Sequence, residues 1–291
     1  MLLLQGVAQL NSLLLGLRSK RVSGLYGIVT MNDLRGKVTL ITGAGSGIGT
    51  ATAIVFAGLG VKLSLTDCSE GNLKRVSDDC VRVQPDDTEQ PLMVLAELTS
   101  EADVNNLVDA TIKKFGRLDI LVNNAGIFEL GSIDRTSLEQ YDRIMNVNVR
   151  AMYHLTMLCV PHLIQTRGNI VNVSSVTGTR SFHGCIAYCM SKSAINQLTS
   201  CAALELASKG VRVNSVNPGV IDTEFYKRGG FSDEQHAKFI EKMKGIHPIG
   251  RVGNPEEVAQ AIAFLAADKA SFITGEHFHV DGGWHATTSA R

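Results

Sequence analysis

The sequence predicts an α/β protein: one doubly wound domain with a parallel sheet of about seven strands and helices on both faces. Three observations point there. Short β-branched runs alternate with longer helical stretches from Lys37 onward, and repeated βαβ units of this kind build a parallel sheet. The runs are apolar along most of their length instead of alternating, as expected of strands buried on both faces. The first run also passes through a glycine-rich turn directly into a helix. In chain order, KVTLITG is the first strand and GIGTATAIVFAGLG the first helix. KLSLTD and PLMVLAELT follow as the second and third strands. SEADVNNLVDATIKKFG is a helix with Ser100 and Asp103 at its start. LDILVNNAG, GNIVNVSS and VRVNSVNPG are three further strands. A long helical segment fills Thr136 to Gln165, and CIAYCMSKSAINQLTSCAALELA is the helix between the last two of these strands. From about Lys37 to Gly283 there is no linker, low-complexity tract or internal repeat, so residues 31–291 read as one domain.

Composition narrows the function. The 291 residues are 44% hydrophobic and 19% charged, which is ordinary for a globular chain able to bury a large core. Lys plus Arg equals Asp plus Glu at 28 each, so bulk charge gives no reason to expect nucleic acid as a partner. The six cysteines form neither a CxxC pair nor a zinc-ligand spacing; they read as reduced packing thiols, and no metal site is expected.

Residues 1–30 differ from the rest: they contain no Asp or Glu, and carry Leu3, Val7, Leu10, Leu14 and Leu17 on one helical face ahead of Arg18, Lys20 and Arg21. Such a leader resembles a mitochondrial presequence, with a disordered extension and a membrane anchor as alternatives. Gln5, Gln9, Asn11 and Ser12 interrupt the apolar run, so no integral membrane span is expected. Met31 also reads well as a domain start. The compartments implied are the cytoplasm or the mitochondrial matrix.

Sheets of this type bind ligands at the carboxyl ends of their strands, and there the first strand enters TGAGSGIG, Thr42 to Gly49. Glycine at 43, 47 and 49 permits a tight turn and close approach of backbone to a pyrophosphate, and the following helix offers its N-terminus to the negative charge. Asp67 ends the second strand, 24 residues past Gly43, where a carboxylate accepts hydrogen bonds from adenosine ribose hydroxyls and repels a 2′-phosphate. Cys68, Ser69 and Glu70 follow it and position 46 is Ser, so no neighbouring basic residue favours the phosphorylated cofactor. The reading is NAD, with NADP less favoured. Tyr188 and Lys192 lie four apart on one helical face, the arrangement of a phenol held beside an ammonium.

With these residues in hand, the chain resembles the short-chain dehydrogenase/reductase family from Gly36 to Gly283. TGAGSGIG fits the family's TGxxxGxG turn, and NNAG at 123–126 the motif ending the fourth strand. Asn148 in MNVNVRAMY, Ser175 in NVSS thirteen residues before Tyr188, and YCMSK as YxxxK complete the catalytic pattern. NPGVIDT and the terminal SFITGEHFHVDGG fit as well. One departure is Glu97 in AELTS, where the family commonly has Asp near the adenine. Residue spacing alone leaves Asn146 and Asn148 open; the resemblance selects Asn148.

The resemblance implies a Rossmann-type NAD-dependent oxidoreductase interconverting a secondary alcohol and a ketone, hydroxyacyl, hydroxysteroid or similar. Tyr188 would be the general acid/base and Lys192 would lower its pKa and hold the nicotinamide ribose. Ser175 would hold the substrate oxygen and Asn148 a proton-relaying water. Cofactor contacts would come from Gly43, Ser46, Gly47, Ile48 and Gly49 at the pyrophosphate, and from Asp67 and Glu97 at the adenosine end. Asn124, Ala125 and Gly126 would line the ribose, and Pro218, Gly219, Val220, Ile221 and Thr223 the carboxamide. Residues of about 221–255 would form a lid, with Phe225, Tyr226, Phe231, Phe239, Ile240 and Met243 as an apolar wall or as ordinary helix packing. A homo-oligomer, tetramer or dimer, is implied too. The alternatives are a non-enzymatic NAD-sensing scaffold, against which the full set Asn148, Ser175, Tyr188 and Lys192 argues, and an epimerase or hydro-lyase, against which the short lid argues.

Overall fold

The computed structural model describes residues 32–287; the leader read from residues 1–30 lies outside the described residues. Seven strands form one wholly parallel sheet: β1 (Val38–Thr42), β2 (Lys62–Asp67), β3 (Leu92–Leu95), β4 (Ile120–Asn123), β5 (Asn169–Val173), β6 (Arg212–Pro218) and β7 (His277–Val280). The helices in chain order are α1 (Gly47–Gly58), α2 (Glu70–Val83), α3 (Glu101–Phe115), α4 (Leu138–Met145), α5 (Ala151–Thr166), α6 (Ile186–Ala207), α7 (Phe225–Arg228), α8 (Asp233–Lys244) and α9 (Pro255–Ala266). Strand order is β3-β2-β1-β4-β5-β6-β7. The chain builds outward from β1 to β3 and then returns to β1's other side, so a crevice opens between the carboxyl ends of β1 and β4.

Two apolar layers sandwich the sheet. On one face Phe56 of α1, Leu73 and Val76 of α2, and Ile262 and Leu265 of α9 pack on Ile41, Leu65 and Val122. On the other, Val104 and Leu107 of α3, Leu155 and Leu163 of α5, and Ala203 of α6 pack on Leu40, Leu121 and Ile170. β1 is buried at every residue, as its unbroken apolar run requires.

Two points of the sequence reading need correction. The third strand is only Leu92–Leu95, because it is the sheet's edge and only Val94 of it is buried. α2 and α9 were not anticipated. α2 is largely polar, turning only Leu73, Val76, Ser77 and Cys80 inward, so its run of charges masks the periodicity. α9 did carry a signal: Asn254 and Glu257 form a capping box with Pro255 at the first helical position between them. The long segment from Thr136 is helical throughout 138–166, as expected, with α4 passing into α5 through a π-helical turn at Asn146–Arg150. Such turns concentrate at functional sites. The Ser100 helix start is as expected, since its hydroxyl accepts from the Asp103 amide. Among the described residues no helix is long and apolar enough to cross a membrane.

Candidate active site

The Gly43–Gly49 turn is held by the strands around it. Ala44 N–H donates to Thr66 O (3.0 Å), and Gly45 N–H to Asp67 Oδ2 (3.0 Å). Gly43 has φ +61°, a left-handed conformation that favours glycine. Gly49 lies so close that a Cβ there would sit 2.1 Å from Gly43 O. β4 is laced to the same turn: the Asn124 side-chain amide donates to Thr42 O (2.9 Å) and Gly43 O (3.1 Å), while the Asn124 and Ala125 N–H groups donate to Thr42 Oγ1 (3.0 Å each). Asn124 therefore shapes the crevice with its side chain. α1 begins at Ser46, whose side chain makes no capping bond, and its first turn has no acidic residue. A positive helix end of that kind suits an anion.

A cleft of about 490 Å³ runs along this edge, within the range of small-molecule sites. Asp67 lies at one end and Tyr188 and Lys192 at the other, with Gly43, Ser46, Gly47 and Ile48 between. Glu97, Asn124, Ala125, Gly126, Ser175, Pro218, Gly219, Ile221 and Thr223 also border it. Three expected residues stand behind the wall instead. Gly49 is inside the turn; Asn148 is fully buried; Val220 is 3% exposed, with its N–H donating to His247 Nε2 (3.2 Å). Glu97 reaches the rim, but its carboxylate accepts from Thr99 N–H (3.1 Å) and Thr99 Oγ1 (2.9 Å). Asp67 accepts from Gly45 and Ser69 backbone N–H groups, leaving further lone pairs toward the cleft.

Tyr188 and Lys192 occupy one face of α6, 7% and 3% exposed. Lys192 Nζ donates to Val173 O (2.9 Å) and lies 5.6 Å from the centre of the Tyr188 ring. Burial pushes the Lys192 ammonium down to about 8. Burial also drives the Tyr188 phenol up, with Tyr226 adding to the rise and a hydrogen bond with Ser175 opposing it. Desolvation leads, so burial and not the Lys192 ammonium sets the direction of the phenol's shift. The ring is buried among other aromatic side chains. Phe128 stands edge-on to Tyr188 (centroids 5.1 Å, 83°), and Phe225 lies 6.1 Å from it. Tyr226, Phe231 and Phe239 close the cluster, Tyr226 lying 5.4 Å from Phe128 and 4.7 Å from Phe239. Phe128 was missed in the sequence, although it directly follows the strand-four motif.

Asn148 sits in the π turn, where Oδ1 accepts from Ile127 N–H (2.8 Å) and Nδ2 donates to Ile127 O (3.0 Å) and Ser191 Oγ (3.0 Å). It fixes the loop that carries Phe128. His247 ties two loops together by donating from Nδ1 to Met243 O (2.7 Å) while accepting from Val220. Cys185 and Cys189 are more than packing atoms: their Sγ atoms are 3.6 Å apart beside Tyr188, and the shared hydrogen bond holds the Cys189 thiol low and the Cys185 thiol high.

A glycine cradle at a helix N-terminus, a carboxylate at one end and a Tyr/Lys pair at the other together define a dinucleotide-dependent oxidoreductase site. A family model described as enoyl-(acyl carrier protein) reductase matches residues 43–285. The chain belongs to the short-chain dehydrogenase/reductase family and is an NAD(P)-dependent enzyme working between alcohol and ketone. It is 39% identical over 255 residues to a 3-oxoacyl-[acyl-carrier-protein] reductase of Thermotoga maritima, covering 86% of this chain and 98% of that one. It is 37% identical to a cyclohexanol dehydrogenase of an Acinetobacter species, covering 88% and 98%. A 3-ketoacyl-(acyl-carrier-protein) reductase of Brucella melitensis, solved in complex with NADH, shares 35% identity with a TM-score of 0.78, covering 87% and 99%.

Proposed function

We propose that the protein interconverts an apolar secondary alcohol and its ketone, with NAD preferred over NADP. The observation that carries the substrate half is the aromatic cluster of Phe128, Phe225, Tyr226 and Phe231 packed against Tyr188. A hydrocarbon skeleton replacing these ring contacts keeps the site dry. The NAD preference is supported by the Asp67 carboxylate on the cleft wall.

The dinucleotide supplies or takes up the hydride. Tyr188 delivers or removes the proton at the substrate oxygen, and Ser175, bonded to the phenol, orients that oxygen. A positioned acid/base contributes about 10²–10⁴-fold. Lys192, with its pKa near 8, supplies charge beside the phenol and donors toward the cofactor ribose. Asn148 holds the Ile127–Phe128 wall from behind, and the family's water-anchoring role is carried to it as well.

The same resemblance extends to assembly as a homotetramer or dimer. Tyr153 and Met157 on α5 and Leu204 on α6 are large apolar side chains exposed to solvent, as an interface through the long helices requires. Sedimentation analysis distinguishes this from a monomer. The functional test is cofactor reduction over cyclic, acyl and polyhydroxylated secondary alcohols with NAD and with NADP. Fastest turnover on an apolar alcohol with NAD is expected; preference for a polyol or for NADP contradicts the reading.

A further inference from the structure

We propose that Arg228 is a lid-borne contact for the diphosphate of the dinucleotide, so that the lid closes on the cofactor's charge. This rests on the dinucleotide reading above. Arg228 ends α7, and its Nη1 donates to Ser46 Oγ (2.8 Å), a residue 182 positions away at the start of α1. Both residues line the cleft. Ser46 is where the lid cation meets the glycine turn, and its hydroxyl is available because it does not cap its own helix.

Arg228 is an exposed residue on the cleft's border. Its neighbour Lys227 pairs with Glu224 (3.3 Å) and Asp233 (2.9 Å), whereas no ion pair of Arg228 is found among the described residues. A guanidinium offers five donors in a planar fork that matches a phosphate, and here a single neutral hydroxyl is its partner. The lid is also fixed on either side of it. A Cβ on Gly47 would lie 3.2 Å from Thr223 Cγ2, and one on Gly229 would lie 2.6 Å from Phe128 O. These close approaches keep the segment from Thr223 to Gly229 over the phosphate turn at one end and over the aromatic wall at the other. One residue thereby ties cofactor occupancy to closure over Tyr188.

The test titrates NADH, ADP-ribose, adenosine and NADPH into the wild-type protein, Arg228→Ala and Arg228→Lys, at low and high salt. Amide hydrogen exchange of residues 225–244 is followed in parallel. Arg228→Ala should weaken NADH, ADP-ribose and NADPH alike, by about tenfold or more, and flatten their salt dependence. Adenosine, used as a competitor, should bind as before, and lysine should recover part of the loss. Saturating NADH should slow exchange of the lid in the wild type but not in Arg228→Ala. Unchanged NADH affinity with unchanged lid protection overturns the proposal. So does an equal loss for adenosine, which marks a general structural defect, or a loss confined to NADPH, which marks a reader of the 2′-phosphate. Absence of NADH binding by the wild type sinks the dinucleotide reading itself.

Discussion

Lys192→Met tests the electrostatics of the site without any substrate. The ammonium is buried, and burial lowers its pKa from 10.5 to about 8. Below pH 8 it is protonated in both folded and unfolded chains, and the folded state carries the full desolvation cost. Above pH 8 the folded protein sheds the proton, while the unfolded chain keeps it to about 10.4. The unfolded state then binds more protons, so stability rises with pH, by about 1.4 kcal/mol per unit. Between pH 7 and about 9.5 the gain is about 2 kcal/mol, or about 4–8 °C in Tm for a domain of this size. Methionine has similar length and no charge. It leaves Val173 O without the Lys192 donor, an offset that does not vary with pH. Groups that titrate alike in both proteins cancel in the difference. Thermal unfolding of the two cofactor-free proteins from pH 7 to 9.5 should therefore show the wild type gaining on Lys192→Met as pH rises. A flat difference, or a wild type that loses ground, refutes the assignment of a desolvated ammonium.

Gly49→Ala would force a Cβ within 2.1 Å of Gly43 O and 2.6 Å of Asn124 Nδ2, so the turn must move. A loss of about 3 kcal/mol or more in calorimetry is expected, together with weakened NADH binding; a wild-type Tm contradicts the packing described. On the proposed NAD preference, Asp67→Ser removes the charge that would repel a 2′-phosphate and should shift the NAD/NADP ratio of kcat/KM toward NADP by about tenfold or more; an unchanged ratio shows that Asp67 does not select the cofactor. Cys189 should be alkylated by iodoacetamide near neutral pH well before buried Cys80, whose thiol is pushed up to about 12. Peptide mass spectrometry should show slower Cys189 labelling in Cys185→Ala, because the lost hydrogen bond is what holds that thiol low; equal rates contradict this.

What the sequence revealed is what short spacing encodes. The β1–glycine–α1 run, the four-residue step from Tyr188 to Lys192 and the Asp67 strand end each depend on local geometry, and all appear in the structure where the chain placed them. Asn146 and Asn148 look alike in the sequence; the π turn separates them by burying Asn148 completely while leaving Asn146 partly exposed. Phe128 and Tyr188 are 60 positions apart, and Arg228 and Ser46 are 182 apart, so no local pattern could join either pair. The direction of the Tyr188 shift escaped for the same reason. Lys192 is visible four residues away, whereas the aromatic side chains that bury the Tyr188 ring, Phe128 and Phe225 among them, come from distant parts of the chain.

Tyr188→Phe, assayed for NADH formation on the best apolar alcohol beside direct NADH titration, tests the central claim most directly. The variant keeps the ring against Phe128 and removes only the hydroxyl that meets Ser175. NADH affinity should remain within a few-fold of the wild type while turnover falls by about 10²-fold or more. Near-normal turnover with intact binding would show that the proton moves through another group, and the assignment of Tyr188 would fail.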